Sequence, residues 1–317
     1  MAKKLCAWFN EISRNDVPLA GGKGANLGDM VQADLPVPPG FVVCVPAFQD
    51  VAQQFGLTTK LSEIIGGLDL NDADQLQAAE GKAKQLFEQV SINGDLRQLI
   101  VDAYQSLGDN APVAVRSSAT AEDLAGASFA GQQETFLNVI GAEQLLKAVR
   151  QCWASLYTSQ AIFYRYQKGF ADHQVSMAVV VQKMVNSEKS GVIFTVDPVL
   201  RNHYQMIIEG VWGLGEGIVS GMITPDHYKV DRETYEVLYE FVPAKDKMIV
   251  KSQNGGVATL PVPADRVSAR VLTQTELCQL VDLGNKTQEH FGCPQDVEWG
   301  IEADQVYLLQ SRPITSL

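Results

Sequence analysis

The sequence predicts an α+β fold, with α/β the alternative that the same segments allow. Three features carry this expectation: helical periodicity over about 74–90, 95–107, 142–168 and 274–291, short β-rich runs, and Gly/Pro punctuation that separates the two kinds of segment. Taken in order, Pro36-Val-Pro-Pro-Gly40 leads into a strand at 41–45, and Val113-Ala-Val115 reads as a short buried strand ending at Arg116-Ser117-Ser118. A polar, glycine-bearing loop covers 119–133, and the helical pattern at 142–168 allows one break. The β-rich runs 177–184 and 191–196 resemble a hairpin closed by Asp197-Pro198, 210–221 is a glycine-rich loop, and Asn254-Gly255-Gly256 is a turn. A second hairpin is expected at 296–313, closing the chain.

The chain has 317 residues, 46% of them hydrophobic, enough for one large domain or two tightly joined lobes. There are 25 Lys plus Arg against 37 Asp plus Glu, a net charge of -12. Such a surface repels phosphate backbones, so nucleic acid and anionic membranes are poor partners, and any polyanion must enter a local pocket of a few placed cations. The apolar stretch 177–181 is too short to span a bilayer, and Asn10, Glu11, Arg14 and Asp16 interrupt any signal-peptide core. Five scattered cysteines without CxxC predict reduced thiols in a cytoplasmic protein.

The last hairpin is the most informative segment. Alternation in Asp296-Val-Glu-Trp-Gly-Ile-Glu302 puts Asp296 and Glu298 on one face, and Leu308, Gln310 and Arg312 share a face of the returning strand. A turn centred on Asp304 sets Glu298 opposite Gln310 and Asp296 opposite Arg312, with facing Cβ atoms about 5 Å apart. A carboxylate and an amide oxygen there suit Mg²⁺, which takes oxygen ligands and keeps phosphates and waters, while Arg312 offers a forked phosphate contact. An exposed face with an ordinary cross-strand ion pair is the competing reading.

Other segments carry weaker signals. Ala20-Gly-Gly-Lys-Gly-Ala-Asn-Leu-Gly28 is a glycine-rich turn into a helix, whose free N–H groups and Lys23 suit phosphate. It lacks the Ser or Thr of a Walker A motif, and a helix entry with a solvated lysine explains it as well. The loop after Arg116 is either a functional lid or a surface loop beside a salt-bridged arginine. Trp212-Gly-Leu-Gly-Glu-Gly217 invites a nucleotide-loop reading, but without a helix signature after it close backbone packing is the favoured one. His173, His203, His227 and His290 occupy polar turns or a helix end, none in a Gly/Ser-rich loop suited to phosphorylation.

Read together, Gly21-Gly-Lys-Gly-Ala-Asn-Leu-Gly28, Pro38-Pro-Gly-Phe41, Val115-Arg-Ser-Ser-Ala-Thr-Ala-Glu-Asp123, Ala127-Ser-Phe-Ala-Gly-Gln-Gln-Glu-Thr-Phe-Leu-Asn-Val139, Val181-Gln-Lys-Met-Val185, Ser190-Gly-Val-Ile-Phe194, Trp212-Gly-Leu-Gly-Glu216 and Gln310-Ser-Arg-Pro313 resemble one family. It is the N-terminal nucleotide-binding domain of phosphoenolpyruvate synthase and pyruvate phosphate dikinase, shared by rifampin phosphotransferase. The resemblance implies an ATP-grasp fold in which two α+β lobes, about 1–180 and 181–317, close on ATP. It implies that Lys23, Arg116 and Arg312 grip the phosphates and that Gly131 and Thr135 supply a loop over them. Gln182, Lys183 and Val185 would meet the adenine, and Glu298 and Gln310 would hold Mg²⁺ with Asp296 in support.

It further implies that a histidine on a separate swivelling domain attacks the β-phosphate of ATP, releasing AMP and phosphate, before the phosphoryl passes to pyruvate, a rifamycin or, in a split two-subunit version, phenol. Long members continue into a domain with a Gly-Gly-x-x-Ser-His-type loop, which this sequence lacks. The expectation is therefore a carrier histidine on another polypeptide, as in phenylphosphate synthase, or a fragment of a longer enzyme. A non-catalytic ATP sensor is the alternative of another class. A degenerate module would have lost Lys23, Arg116, Glu298 or Arg312, and all four are present.

Overall fold

In the computed structural model, which describes residues 3–120, 134–168 and 176–315, the chain divides into two compact units. The first comprises Met1–Asp29 and Pro39–Met184, the second Met30–Pro38 and Val185–Leu317. Met30–Pro38 thus groups with the second unit, where the Leu308 amide donates to the Pro36 carbonyl at 2.8 Å, a join that a single cut near residue 180 does not foresee.

The first unit contains β1 (Cys6–Trp8), α1 (Val17–Gln32, its last residues in the second unit), β2 (Gly40–Val43), α2 (Val45–Phe55), α3 (Leu57–Ile65), α4 (Ala73–Glu88), α5 (Gly94–Ser106), β3 (Val113–Ala119), β4 (Thr135–Val139), α6 (Ala142–Ala154), α7 (Ser159–Lys168) and β5 (Met177–Lys183). The five strands form an antiparallel sheet in the order β1-β2-β5-β3-β4. Phe41, Val43, Val113, Val115, Val179 and Val181 line one face and bury against the helices, with Phe48 meeting Trp153 at 5.9 Å between ring centroids. Period-two placement sends their neighbours Val42, Ala114, Arg116, Ser118, Val180 and Gln182 to the opposite face. There Val42 lies under Gly24 of α1, whose added Cβ would sit 3.1 Å from it.

The second unit contains β6 (Lys189–Phe194), β7 (Gln205–Trp212), α8 (Glu216–Val219), β8 (Asp226–Asp231), β9 (Val237–Phe241), β10 (Lys247–Lys251), β11 (Val257–Pro261), α9 (Gln274–Phe291), β12 (Gln295–Glu302) and β13 (Gln305–Pro313). Six strands pair antiparallel in the order β13-β12-β6-β7-β8-β9, and β10 and β11 form a separate hairpin. Ile193, Met206, Ile208, Val297 and Trp299 are buried on one face, over which α9 lays Leu277, Leu280, Val281 and Gly284. Gly284 lets the helix approach, since an added Cβ would lie 3.1 Å from Met206 Sδ. A capping box starts α9: Thr273 Oγ1 accepts from the Glu276 amide, and Glu276 accepts from the Thr273 amide at 2.7 Å. With both sheets antiparallel and helices segregated from strands, the chain is α+β.

Three expectations need correction. The runs 177–184 and 191–196 do not pair: β5 is enclosed by β2 and β3 in one sheet, β6 by β7 and β12 in the other, so neither has a free edge for its neighbour in sequence. Arg116 lies within β3 rather than at its end, because the strand continues to Ala119. The segment 210–221 is only partly loop: its first three residues, 210–212, complete β7, and α8 occupies its centre. Backbone contact does account for Gly213, which has φ +79° and whose Cβ would fall 2.2 Å from the Ile249 carbonyl oxygen.

Candidate functional site

In the first unit the glycine turn is fastened to β3. Ser118 Oγ donates to the Ala20 carbonyl at 2.8 Å and accepts from the Gly24 amide at 3.1 Å. Gly21 has φ +68°, ψ 173°, so α1 begins anew after it, and a Cβ there would lie 2.2 Å from the Ser118 carbonyl oxygen. Glycine is required at this position on both counts. Lys23 follows in the first turn of the restarted helix, half-buried, and its charge reaches the buried Cys152 thiol, whose pKa burial pushes far up.

Arg116, 8% exposed, shares a strand face with Ser118, so the lysine turn and the arginine lie on the same side of this sheet. Gln182 lies on that side too, two residues along β5 from the partner of Arg116. It is 2% exposed, and its Nε2 finds no hydrogen-bond acceptor among the described residues. A buried donor left unmatched in this way suits an acceptor supplied by a ligand. Thr135 opens β4 opposite Arg116, so it belongs to a strand rather than to a loop. Lys183 is exposed at the end of β5, and Val185 is buried beyond it. Gly131 lies outside the described residues.

In the second unit β12 and β13 pair as Asp296 with Arg312 and Glu298 with Gln310. The route to that register differs from the expected one. Ala303 and Asp304, both at positive φ, make a two-residue turn that sets Glu302 opposite Gln305. A bulge then inserts Leu309, because Trp299 pairs Leu308 while Glu298 pairs Gln310. The bulge also reverses the phase of β13: Leu308, fully buried opposite Trp299, lies on the core face and does not share the side of Gln310 and Arg312.

Arg312 is half-exposed and donates from Nε to Asp296 Oδ2 at 2.8 Å. Burial pushes the Asp296 pKa up, Arg312 pulls it back, Glu298 and Glu209 push it further, and the net shift is upward. Gln310 is nine-tenths buried. The Glu298–Gln310 row continues across the sheet through Val192 of β6 and Glu209 of β7 to His227 of β8, where His227 Nδ1 lies 3.1 Å from Glu209 Oε1. Sequence reading missed Glu209 and set His227 aside. The signal was a lone glutamate within the apolar run Met206-Ile-Ile-Glu-Gly-Val-Trp212, but its row-mates become visible only once the strand order is known.

A carboxylate and an amide oxygen on one open sheet face fit Mg²⁺, a hard cation that keeps several oxygens from phosphate and water. Among the described residues no three acidic, histidine or cysteine side chains form a ready metal cage. When bound, Mg²⁺ would neutralise phosphate charge.

Comparison with known proteins decides the family. The profile of the pyruvate phosphate dikinase AMP/ATP-binding domain matches residues 17–317. The chain belongs to this family. A probable phosphoenolpyruvate synthase of Methanocaldococcus jannaschii is 48% identical over 99% of this chain and 27% of its own length. The phosphoenolpyruvate synthase of Pyrococcus furiosus is 40% identical over 100% of this chain and 44% of its own. A rifampicin phosphotransferase of Bacillus cereus is 38% identical over 98% and 36% respectively. The chain therefore spans less than half the length of these relatives. It is an ATP-binding domain of the phosphoenolpyruvate synthase-like dikinases, and no helix among its described residues is long and apolar enough to cross a membrane.

Proposed function

We propose that this ATP-grasp-type domain binds Mg-ATP and donates the β-phosphoryl group to a histidine on a separate domain or subunit. An imidazole nitrogen attacks the β-phosphorus and the bond to the α-phosphate oxygen breaks, so AMP leaves. Water takes the γ-phosphoryl as free phosphate, and phosphohistidine remains. Lys23, Arg116 and Arg312 hold the phosphates, with Thr135 and Gly131 beside them. Gln182, Lys183 and Val185 receive the adenine, and Glu298 and Gln310 carry the Mg²⁺. Positioning and charge neutralisation are the main demands of such a transfer, and the cations and oxygens named here are of the kinds it needs.

The observation that carries this reading is the family match over residues 17–317, joined to the Glu298–Gln310 and Asp296–Arg312 pairs on one open sheet face. Phosphoenolpyruvate synthases and rifampicin phosphotransferases as relatives support pyruvate- or rifamycin-directed transfer downstream, through parts of those proteins that this chain does not span. Calorimetry of Mg-ATP against wild type, Lys23→Ala and Glu298→Gln tests the binding step. Wild type is expected to bind and each variant to lose at least about tenfold in affinity, the effect of one charge-assisted contact. AMP should form when a candidate histidine domain and its acceptor are added. Absence of heat from wild type with Mg-ATP overturns the reading.

A further inference from the structure

The first unit holds a cavity that the nucleotide reading does not use. Its volume is about 420 Å³, in the range of small-molecule pockets. Two helices each turn one face toward it: Phe87 and Glu88 follow Lys84 on α4, and Arg150 and Gln151 follow Lys147 on α6, both at i, i+3, i+4 spacing. The start of β4 closes the base with Glu134 and Phe136. Phe136 pairs with Val115 and packs against the buried core, whereas Thr135 pairs with Arg116 on the other face of the sheet. The cavity therefore lies behind β4, away from the side that carries Arg116 and the lysine turn.

The charge balance here is the reverse of the chain's. The sequence has 37 acidic residues against 25 basic ones, yet the cavity is lined by three cations, Lys84, Lys147 and Arg150, and two carboxylates, Glu88 and Glu134. Lys84 is already engaged, with its Nζ 2.7 Å from Glu80 and within reach of the Glu134 charge. Arg150 donates from Nη1 to the Val90 carbonyl at 3.2 Å, which fixes the guanidinium, and its Nη2 makes no hydrogen bond to a described residue. Lys147 is exposed and has no hydrogen bond or ion pair to any described residue. Phe87, 1% exposed, and the half-buried Phe136 supply an apolar floor. Lysines around a groove are ordinary, and so is a core aromatic at its edge. A small-molecule pocket needs both, a few placed polar groups over an apolar lining.

We propose that this cavity binds a small aromatic carboxylate, with the ring against Phe87 and Phe136 and the carboxylate held by Lys147 and Arg150. Three cations against two anions leave one positive charge, which a monoanion balances and a polyphosphate exceeds. A carboxylate also matches the planar donor fork of arginine, and ring-on-ring contact adds to the area buried. The site is separate from the Mg-ATP site proposed above and does not rest on it.

Fluorine NMR of para-trifluoromethylphenylacetate tests the proposal, with its neutral amide and the corresponding benzylamine as controls. Line broadening of the acid should saturate at one probe per chain, the amide should bind at least about tenfold more weakly, and the amine should not bind. K147Q, at an exposed position, should weaken the acid about tenfold by removing one ionic contact. Q151W, also exposed and facing the cavity, should block the probe. Thermal melting confirms that both variants are folded. Saturating Mg-ATP should leave the probe in place. Absence of binding, equal binding of acid and amide, unchanged affinity in K147Q, or displacement by Mg-ATP overturns the proposal. Calorimetry with Mg-ATP alone reports on the nucleotide reading, so either reading can fail without the other.

Discussion

The two sheets hold their candidate residues in opposite ways. In the first unit every residue of β3 is buried, so Arg116 stands in a strand covered on both faces, and Lys23 hangs from a turn stapled through Ser118. In the second unit one face of the sheet packs on α9, while the other leaves Asp296, Glu298, Glu209 and His227 partly accessible. One set is positioned by close backbone contact, the other projects from a scaffold whose stability is made elsewhere. Substitutions should therefore be costly to folding beside the first set and cheap on the second.

The largest effect is expected at Gly21. In Gly21→Ala, left-handed backbone and a Cβ placed 2.2 Å from the Ser118 carbonyl combine, and a loss of about 3 kcal/mol or more should appear in chemical denaturation. If it melts like wild type, the contrast between the units fails at its strongest point. Next is Glu276→Gln, on the packed side of the second unit. Glu276 and Lys189 are 11% and 17% exposed and 2.7 Å apart, and the change leaves the lysine without its anion, at a cost of about 2 kcal/mol.

Burial pushes the Glu276 pKa up, but the bonds from Lys189 and Thr273 outweigh it and the net value falls below the usual 4.5. Its contribution is accordingly present above that pH and lost as pH falls through the lowered folded value. Denaturation curves between pH 3 and 6 should show this acid-side loss in wild type and a flatter profile in the variant.

The smallest effect belongs to the open face. The Asp296 pKa is raised in the folded state, so ionising it there costs stability as pH rises through the range above its ordinary 3.8. Asp296→Asn should remove that fall and leave stability at neutral pH within about 1 kcal/mol of wild type, since the half-exposed Arg312 rehydrates. Mg-ATP affinity should drop nonetheless. A severe loss of stability would show that this face is structural and would erase the distinction between the sheets.

The same contrast governs what could be read from the sequence. Alternation around Asp296 and Glu298 was legible because one face of β12 is buried and the other open. α9 was legible from Gln274 to Phe291, since its period and capping residues agree. Arg116 gave no such periodic signal, because a strand buried on both faces reads as an uninterrupted apolar and small-residue run. Two antiparallel strands close in sequence, β5 and β6, imitate a hairpin when only local pattern is available, and their separation into different sheets is a long-range fact. Glu209 stayed hidden for the same reason: its row-mates lie far away along the chain.

Leu309 gives the hairpin an unusual sensitivity. Pairing Leu309 in register would carry plain two-residue alternation on from the Ala303–Asp304 turn, turning the Arg312 guanidinium toward the oily side and Ser311 into the open. The site on this ribbon therefore depends on where the extra residue is accommodated as well as on which side chains flank it, and changes that draw Leu309 into regular pairing should be tolerated less than point changes elsewhere along the ribbon.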